Sequence, residues 1–399
     1  MTSALRQPPL VLLIALTALA PFALNSFLPS IPRIVDDLHT DLASAQLTLT
    51  VFLAGVAVGQ LAYGPVSDRF GRRPPLLFGM ALATAASALC LFAPSIEWLN
   101  TARVFQALGM CSGTVLGRAI VRDCHGRDRA AAMLGYVTMA MAVVPAVAPS
   151  IGGALDSWIG WRATFGAMFI FTGAVFVWCI FSGHETNHHR TSDIGALALL
   201  QSNLALLRNR SFLGYTFSVT LASGAFFSFL AGAPHLTITV LNLDPLHFGL
   251  GFGAVSVSYM IGNFATARLS PRLGVDVMVL LGIAVALPAA LLMLALAASV
   301  GPTLLTIFVP MCGVAIGNGM SQASGIAGAV SVNPRLAGAA SGLLGFLQMA
   351  GGAGASLIVG FLQDSTLFPV ASAMSVAFLG ALLSYLWGRA ARTRKATGS

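Results

Sequence analysis

The chain has 399 residues, of which 57% are hydrophobic and only 9% charged, whereas a soluble domain carries about 25% charged residues. So little polar surface cannot cover a water-soluble fold, and much of the exterior is expected to face lipid. The net charge of +8 does not mark a nucleic-acid partner, because the basic residues sit in short clusters between apolar runs rather than on one polar domain.

About 20 apolar residues cross a bilayer, and the chain offers twelve such runs. In order they cover approximately 10–29, 45–64, 75–95, 99–120, 131–153 and 163–182, then 212–233, 248–268, 275–298, 302–326, 336–362 and 368–387. Arg6, the apolar stretch and Ala18-Leu19-Ala20 mimic a cleavable leader. Pro21 would follow the cut, however, and the run continues to Leu28, so a retained first span is expected. Residues 1–182 are expected to form one six-helix bundle and 211–390 a second. Between them lies a connector over 183–210 rich in His, Asn, Arg and Ser, and 391–399 form a tail. Cys90, Cys111, Cys124, Cys179 and Cys312 are scattered, with neither a disulfide framework nor a metal-ligand spacing. No metal or cofactor is expected.

Orientation follows from the excess of Lys and Arg on cytoplasmic loops. With a cytoplasmic N-terminus, alternate loops place 18 of the 21 basic residues on that side; Arg33 and Arg162 fall opposite, and Arg103 lies within a span. Both termini are therefore expected in the cytoplasm. The halves also echo each other. Ser67-Asp68-Arg69-Phe70-Gly71 returns 203 residues later as Ser270-Pro271-Arg272-Leu273-Gly274, and spans one and seven begin 202 residues apart. Gly109 and Gly113 of span four pair with Gly313 and Gly317 of span ten at an offset of 204. Parallel repeats of this kind build a known class of transporter.

The strongest local pattern is Gly64-Pro-Val-Ser-Asp68-Arg69-Phe-Gly71-Arg72-Arg73-Pro74. Gly64 is expected to let helix backbones approach closely, and Gly71 permits the φ > 0 turn of a tight loop. Asp68 can pair with nearby arginines and with the positive end of a facing helix. The pattern resembles the loop signature of the major facilitator superfamily between spans two and three. The facing helix in that family is span eleven, which here begins at Asn333-Pro334. The resemblance makes Asp68 and Arg72 a latch that closes the cytoplasmic side.

Span four carries Arg103-Val-Phe-Gln106-Ala107, then Gly109, Gly113 and Arg118-Ala-Ile-Val-Arg122-Asp123. A charge inside a membrane is costly, ~2.5–3.5 kcal/mol on insertion scales, so Arg103 is expected to face a watery cavity and to have a partner. The alternative is an arginine that snorkels to the outer interface. In the family this arginine is tied to proton coupling; the usual glycine after the glutamine is Ala107 here. Span five holds Pro145-Ala-Val-Ala-Pro149-Ser-Ile-Gly152-Gly153, prolines that bend a helix and glycines that open a close contact. It is similar to the signature of the antiporter branch, with Val144 in place of its first glycine.

Over essentially the whole chain these motifs resemble the bicyclomycin-resistance (Bcr/CflA) multidrug exporters. Phe27-Leu28-Pro29, Glu185-Thr186 and Pro245-Leu-His-Phe248-Gly249 add to the likeness. The resemblance implies drug export driven by protons, by a monomer with a lipid bilayer and a small-molecule substrate as its partners and no nucleic acid. Aligned on Leu28-Pro29, the aspartate that relatives often carry in span one is Asn25, which takes up no proton near neutral pH. Asp123, partnered by Arg118 or Arg122, is then the remaining candidate for coupling.

A substrate pocket is expected near the membrane midplane between the halves. Its candidate lining is Phe22 and Asn25 of span one, Gln46 and Thr50 of span two, and Tyr136 and Met139 of span five. The second half would add Phe226 and Phe229 of span seven, Tyr259 and Asn263 of span eight, Asn318 and Gln322 of span ten, and Gln348 of span eleven. A dedicated exporter of one metabolite, such as an amino acid or siderophore, is the alternative within this fold. His184-Glu185-Thr-Asn-His188 spells the H-E-x-x-H zinc pattern, but it falls where span six gives way to the connector. A membrane zinc protease is the remote alternative, and no enzyme is expected.

Overall fold

The computed structural model describes residues 8–124, 127–182, 184–187, 196–333 and 336–397, and among these all regular structure is helical. The chain divides into two compact units, Met1–Ile194 and Gly195–Ser399.

In the first unit, α1 (Leu10–Ser26) passes through a 3-10 turn at Leu28–Ser30 into α2 (Ile31–Asp37). Then come α3 (Leu42–Phe70), α4 (Arg73–Leu91), α5 (Ile96–Cys124), α6 (Arg127–Trp158) and α7 (Trp161–Ser182). The second unit opens with the short α8 (Ala196–Leu207). It continues with α9 (Arg210–Pro234), which runs into a π-helical turn at His235–Val240, and α10 (Pro245–Leu273). It closes with α11 (Val275–Ser299), α12 (Leu304–Ser331), α13 (Ala337–Leu362) and α14 (Phe368–Thr397). Among the described residues eleven helices are long and apolar enough to cross a membrane. The 32-residue α6 occupies the place expected for span five, so the twelve expected spans each have a helix.

Local chemistry explains the boundaries. The Asp41 carboxylate accepts from the Ser44 N–H at 2.9 Å at the start of α3, and Asn209 and Asp244 cap α9 and α10 in the same way. Thr303 and Thr306 form a reciprocal capping box at the start of α12. Each satisfies backbone donors that a helix start leaves open. The connector is not wholly polar coil: α8 lies within it, and Leu206 is buried in the second unit's core beside Phe212 and Tyr215.

The internal repeat is visible in packing, with one change of register. Gly79 and Ala83 of α4 press their backbones on Gly109 of α5, while Gly282 and Ala286 of α11 press on Gly317 of α12. The offset is thus 203 on one side of the contact and 208 on the other, so Gly317, not Gly313, plays the part of Gly109. Glycines four residues apart lie on one helix face, and the spacing alone could not separate them.

Candidate functional site

The loop between α3 and α4 is a densely bonded polar site among the described residues of the first unit. Gly71, with φ of 94°, ends α3 by donating its N–H to the Ser67 carbonyl at 3.1 Å. Arg72 follows and acts as a hub. Its Nη1 donates to Asp68 Oδ1 at 2.5 Å and to Ser67 Oγ at 2.6 Å. Its Nε donates to Asp123 Oδ2 at 2.8 Å, tying the loop to the end of α5. Asp123 therefore has a partner from another helix junction, and the Arg122 side chain lies outside the described residues.

The chain beyond α7 closes the loop from the other side. Glu185 accepts the Arg72 N–H at 2.8 Å and the Arg73 N–H at 3.2 Å, capping α4 in trans. Partial burial pushes the Glu185 carboxyl up, but the backbone donors of Asn187, Arg72, Arg73 and Thr186 outweigh it and hold the group below the ordinary glutamate range. For Arg72, burial works against the charge, and the hydrogen bonds to Asp123 and Asp68 prevail, holding the guanidinium above its ordinary range. Asn187 Nδ2 reaches the carbonyls of Ser67 and Asp68 at 3.4 and 3.3 Å. Arg69 lies over the Phe70 ring at 5.3 Å, and Arg73 donates to the Ile180 carbonyl at 3.2 Å.

Two expectations change here. A side chain at Gly64 would meet nothing within 4 Å; the close backbone approaches of α3 are made one and two turns earlier, at Gly59 and Gly55 against α5. The backbone over His184–Asn187 is not helical, and Glu185 is occupied with amides, so the zinc pattern lacks the helix that would align its ligands. His188 lies outside the described residues, and among those described no cluster of His, Cys, Asp and Glu could hold a metal. Pro334 also lies outside them.

Arg103 is fully buried, and neither a watery cavity nor an interface surrounds it. Its guanidinium lies 4.2 Å from the ring centroids of both Phe27 and Phe52, with Phe165 at 5.8 Å. Nη1 donates to Gln106 Oε1 at 2.6 Å and to the Ala23 carbonyl at 3.3 Å. Gln106 in turn donates to Ser87 Oγ at 2.8 Å. Ring faces and neutral oxygens thus serve as the expected partner, and cation–π attraction grows when the pair is desolvated.

At the far end of α6 a second polar set joins α2, α6 and α7. Arg33 donates to the Asp156 carbonyl at 2.6 Å, and Trp161 donates to Asp37 Oδ2 at 2.9 Å. Arg162 sits 4.0 Å from Asp37, stacks on Trp161 at 4.2 Å and donates to the Ala93 carbonyl at 3.0 Å. Asp156 is only 1% exposed, and sequence reasoning missed it because the expected span five stopped at 153. Pro145 is half-buried; Pro149, Gly152 and Gly153 are buried, and a Cβ at Gly152 would collide with the Ser26 carbonyl. That close contact lets α6 lie against α1.

Of the pocket candidates, Phe22 makes an edge contact with Phe171 at 5.7 Å and lines an open apolar groove with Val143, Val144 and Val147. Asn25 is buried and donates to the Pro21 carbonyl at 2.7 Å, an ordinary bond back along a proline-interrupted helix. Gln46 and Thr50 are buried on α3. The side chains of Tyr136 and Met139 lie outside the described residues.

In the second unit the structure brings Gln322 and Gln348 together. Both donate to Ser223 Oγ at 2.8 Å, and Gln348 also donates to Gln322 Oε1 at 2.9 Å. Ser223, which completes this amide cluster, had no signal of its own in the sequence. Asn318, one turn before Gln322, is buried. Phe229 is fully buried, stacked at 6.5 Å on Phe252 and edge-on to Phe308. Phe226 meets Phe227 and Phe252, so these two aromatics belong to a packed cluster. Asn263 donates to the Tyr259 carbonyl at 3.0 Å, and both are half-buried. Asp276 was also missed: its Oδ1 accepts from the Tyr215 and Tyr385 hydroxyls, each at 2.6 Å.

Comparison with known proteins adds the following. A profile described as Major Facilitator Superfamily matches residues 13–356. A protein named "Bicyclomycin resistance protein homolog" from Haemophilus influenzae is 27% identical, over 93% of each chain. The "Chloramphenicol resistance protein" of Pseudomonas aeruginosa is 30% identical over 88% of this chain and 84% of its own. Among solved structures, a peptide transporter POT superposes with a TM-score of 0.77 over 97% of this chain and 98% of that one, at 14% identity.

Proposed function

This chain belongs to the Major Facilitator Superfamily of membrane transporters, and from that premise we propose that it exports small drug-like molecules across a bacterial inner membrane, by alternating access and in exchange for protons. The observation that carries the reading is a pair of separable polar contact sets at opposite ends of the first unit. One is Arg72 with Asp68, Asp123 and Glu185; the other is Arg33 and Trp161 with α6 and Asp37. A protein that opens alternately to two sides needs contacts at each end that form in one state and part in the other, and partly exposed ion pairs suit that use because each is weak.

In this reading the Arg72 end faces the cytoplasm with both termini, and residues 183–210 connect two bundles, 1–182 and 211–390, in a chain that works as a monomer. Arg103 couples α5 to α1 through the Ala23 carbonyl. Gln322, Gln348 and Asn318 offer neutral hydrogen-bonding groups to a substrate. That two relatives are named for resistance to bicyclomycin and chloramphenicol supports drugs over a single metabolite.

The test is expression in a drug-sensitive bacterium, followed by drug uptake into inverted membrane vesicles with and without an imposed pH gradient. Resistance to several unrelated drugs and uptake that requires the gradient are expected. Protection against none of them would point to a dedicated metabolite exporter, and gradient-insensitive uptake would remove the antiport. Accessibility labelling that put residues 69–73 and the C-terminal tail on opposite faces would overturn the orientation.

A further inference from the structure

Proton-driven transport needs a group inside the protein that changes charge near neutral pH and sits where motion can expose it to either side. Asn25 has no such proton, and a guanidinium such as Arg103 keeps its charge. Among the described residues Asp156 is the only buried carboxylate. It lies near the end of a 32-residue helix, about 48 Å long at 1.5 Å per residue, at the end remote from Arg72 and Asp123.

Its surroundings connect it to the moving parts. One turn before it, Gly152 lets α6 touch the Ser26 carbonyl of α1. One turn before Ser26 along α1, the Ala23 carbonyl receives Arg103. Just beyond Ser26, α1 breaks into the 3-10 turn and α2, whose Arg33 grips the Asp156 carbonyl and lies against Gly160, where φ is 120°. The charged groups on the elements packed around Asp156 are therefore few. The break and α2 supply Arg33, with Asp36 and Asp37 on the same short helix. From α7 comes Arg162, already engaged by Asp37, and from α5 comes Arg103, enclosed in its rings; α1 supplies none. A buried carboxylate is costly without compensation, and Arg33, which is itself exposed, is held to the Asp156 backbone carbonyl.

The second unit carries a basic and an acidic residue at comparable positions. His235 follows Arg33 by 202 residues and Asp364 follows Asp156 by 208, close to the packing offsets of 203 and 208 that relate the units elsewhere. His235 lies within electrostatic reach of Asp364. Here the carboxylate is exposed and His235 is half-buried. Burial is what distinguishes the first pair.

Resting on the antiport reading, we propose that Asp156 is the side chain that carries the coupling proton, with Arg33 as the positioning residue that holds its backbone carbonyl. A proton from the outer solution forms an O–H bond on one Asp156 oxygen and neutralises it. Release of the same proton to the other side restores the carboxylate, and no other bond changes.

The experiment uses the full chain in inverted vesicles and the drug to which it gives the strongest resistance. Two readouts are taken at equal protein abundance: uptake driven by a pH gradient, and drug exchange with no gradient. Asp156→Asn should lower gradient-driven uptake by about tenfold or more while exchange stays within about twofold, and Asp156→Glu should restore most of the uptake. Unchanged uptake in Asp156→Asn overturns the assignment. So does equal loss of both readouts that Asp156→Glu fails to rescue, and so does uncoupling produced by His235→Gln instead. A wild type whose uptake ignores the gradient is a different failure: it removes the antiport itself, and the assignment falls with it.

Discussion

The loop after α3 and the loop after α10 share a backbone and differ in everything that fastens it. Gly71 and Gly274, with φ of 94° and 81°, each end a helix by donating to the carbonyl four residues back, at 3.1 and 2.9 Å. In the first unit the next helix is then held by ions: Arg72 to Asp68 and Asp123, and Glu185 to two backbone amides. In the second it is held by phenols, with Asp276 accepting from Tyr215 and Tyr385, whose rings meet at 5.8 Å within the buried core of that unit. The turn is dictated by backbone sterics and must recur. The fastening is free to diverge, and the ionic version suits a contact that opens, the phenolic version one that stays.

That contrast is broken most directly by swapping which property is lost. Arg72→Ala should cut drug export by about tenfold or more yet cost only ~1 kcal/mol of stability, because its partners are partly exposed. Asp276→Ala should do the reverse. Two phenols lose a charged acceptor, for about 2 kcal/mol in thermal unfolding of the detergent-solubilised protein, while export per folded molecule stays within about twofold. Equal effects on both readouts in both variants would dissolve the distinction between gate and anchor.

A smaller effect separates the two glycines. At φ of 81° and ψ of 163° Gly274 occupies a backbone region that is essentially Gly-only, where an L side chain costs roughly 1–3 kcal/mol, and Gly274→Ala adds no collision, since nothing lies within 4 Å of the new methyl. Gly71→Ala adds a collision with the Glu185 carboxylate, so it should unfold at a lower temperature than Gly274→Ala and lose export as well.

The smallest effect is on pH. The Glu185 carboxyl is held below its ordinary range, so the stability it lends is present above about pH 4.3 and is lost as pH falls through the depressed value. Thermal unfolding from pH 6 to pH 3 should show a decline that Glu185→Gln removes in part. A variant with the wild-type pH profile would mean that the cap contributes nothing.

Much of this architecture was legible in the chain itself. Twelve apolar runs became helices at the expected places, because in a bilayer each segment must satisfy its own backbone hydrogen bonds. Span eleven, expected over 336–362, is Ala337–Leu362, whereas span two, expected over 45–64, extends as Leu42–Phe70. A hydropathy run ends where lipid ends, but a helix continues until a residue such as Gly71 stops it. The same distinction hid Asp156, which lies past the apolar run and still inside the helix.

Hydropathy, loop charge and the spacing of small residues are properties of one segment at a time, and from them follow the membrane class, the number of spans and the duplication. Which polar side chains share an interior depends on residues brought from other helices. Only tertiary packing could enclose Arg103 between Phe27 and Phe52, join Gln322 and Gln348 at Ser223, and set Gly317 where Gly313 was expected. Those outcomes turn on close contact, within a few ångströms, between groups up to 125 residues apart in the chain, and no local pattern records it.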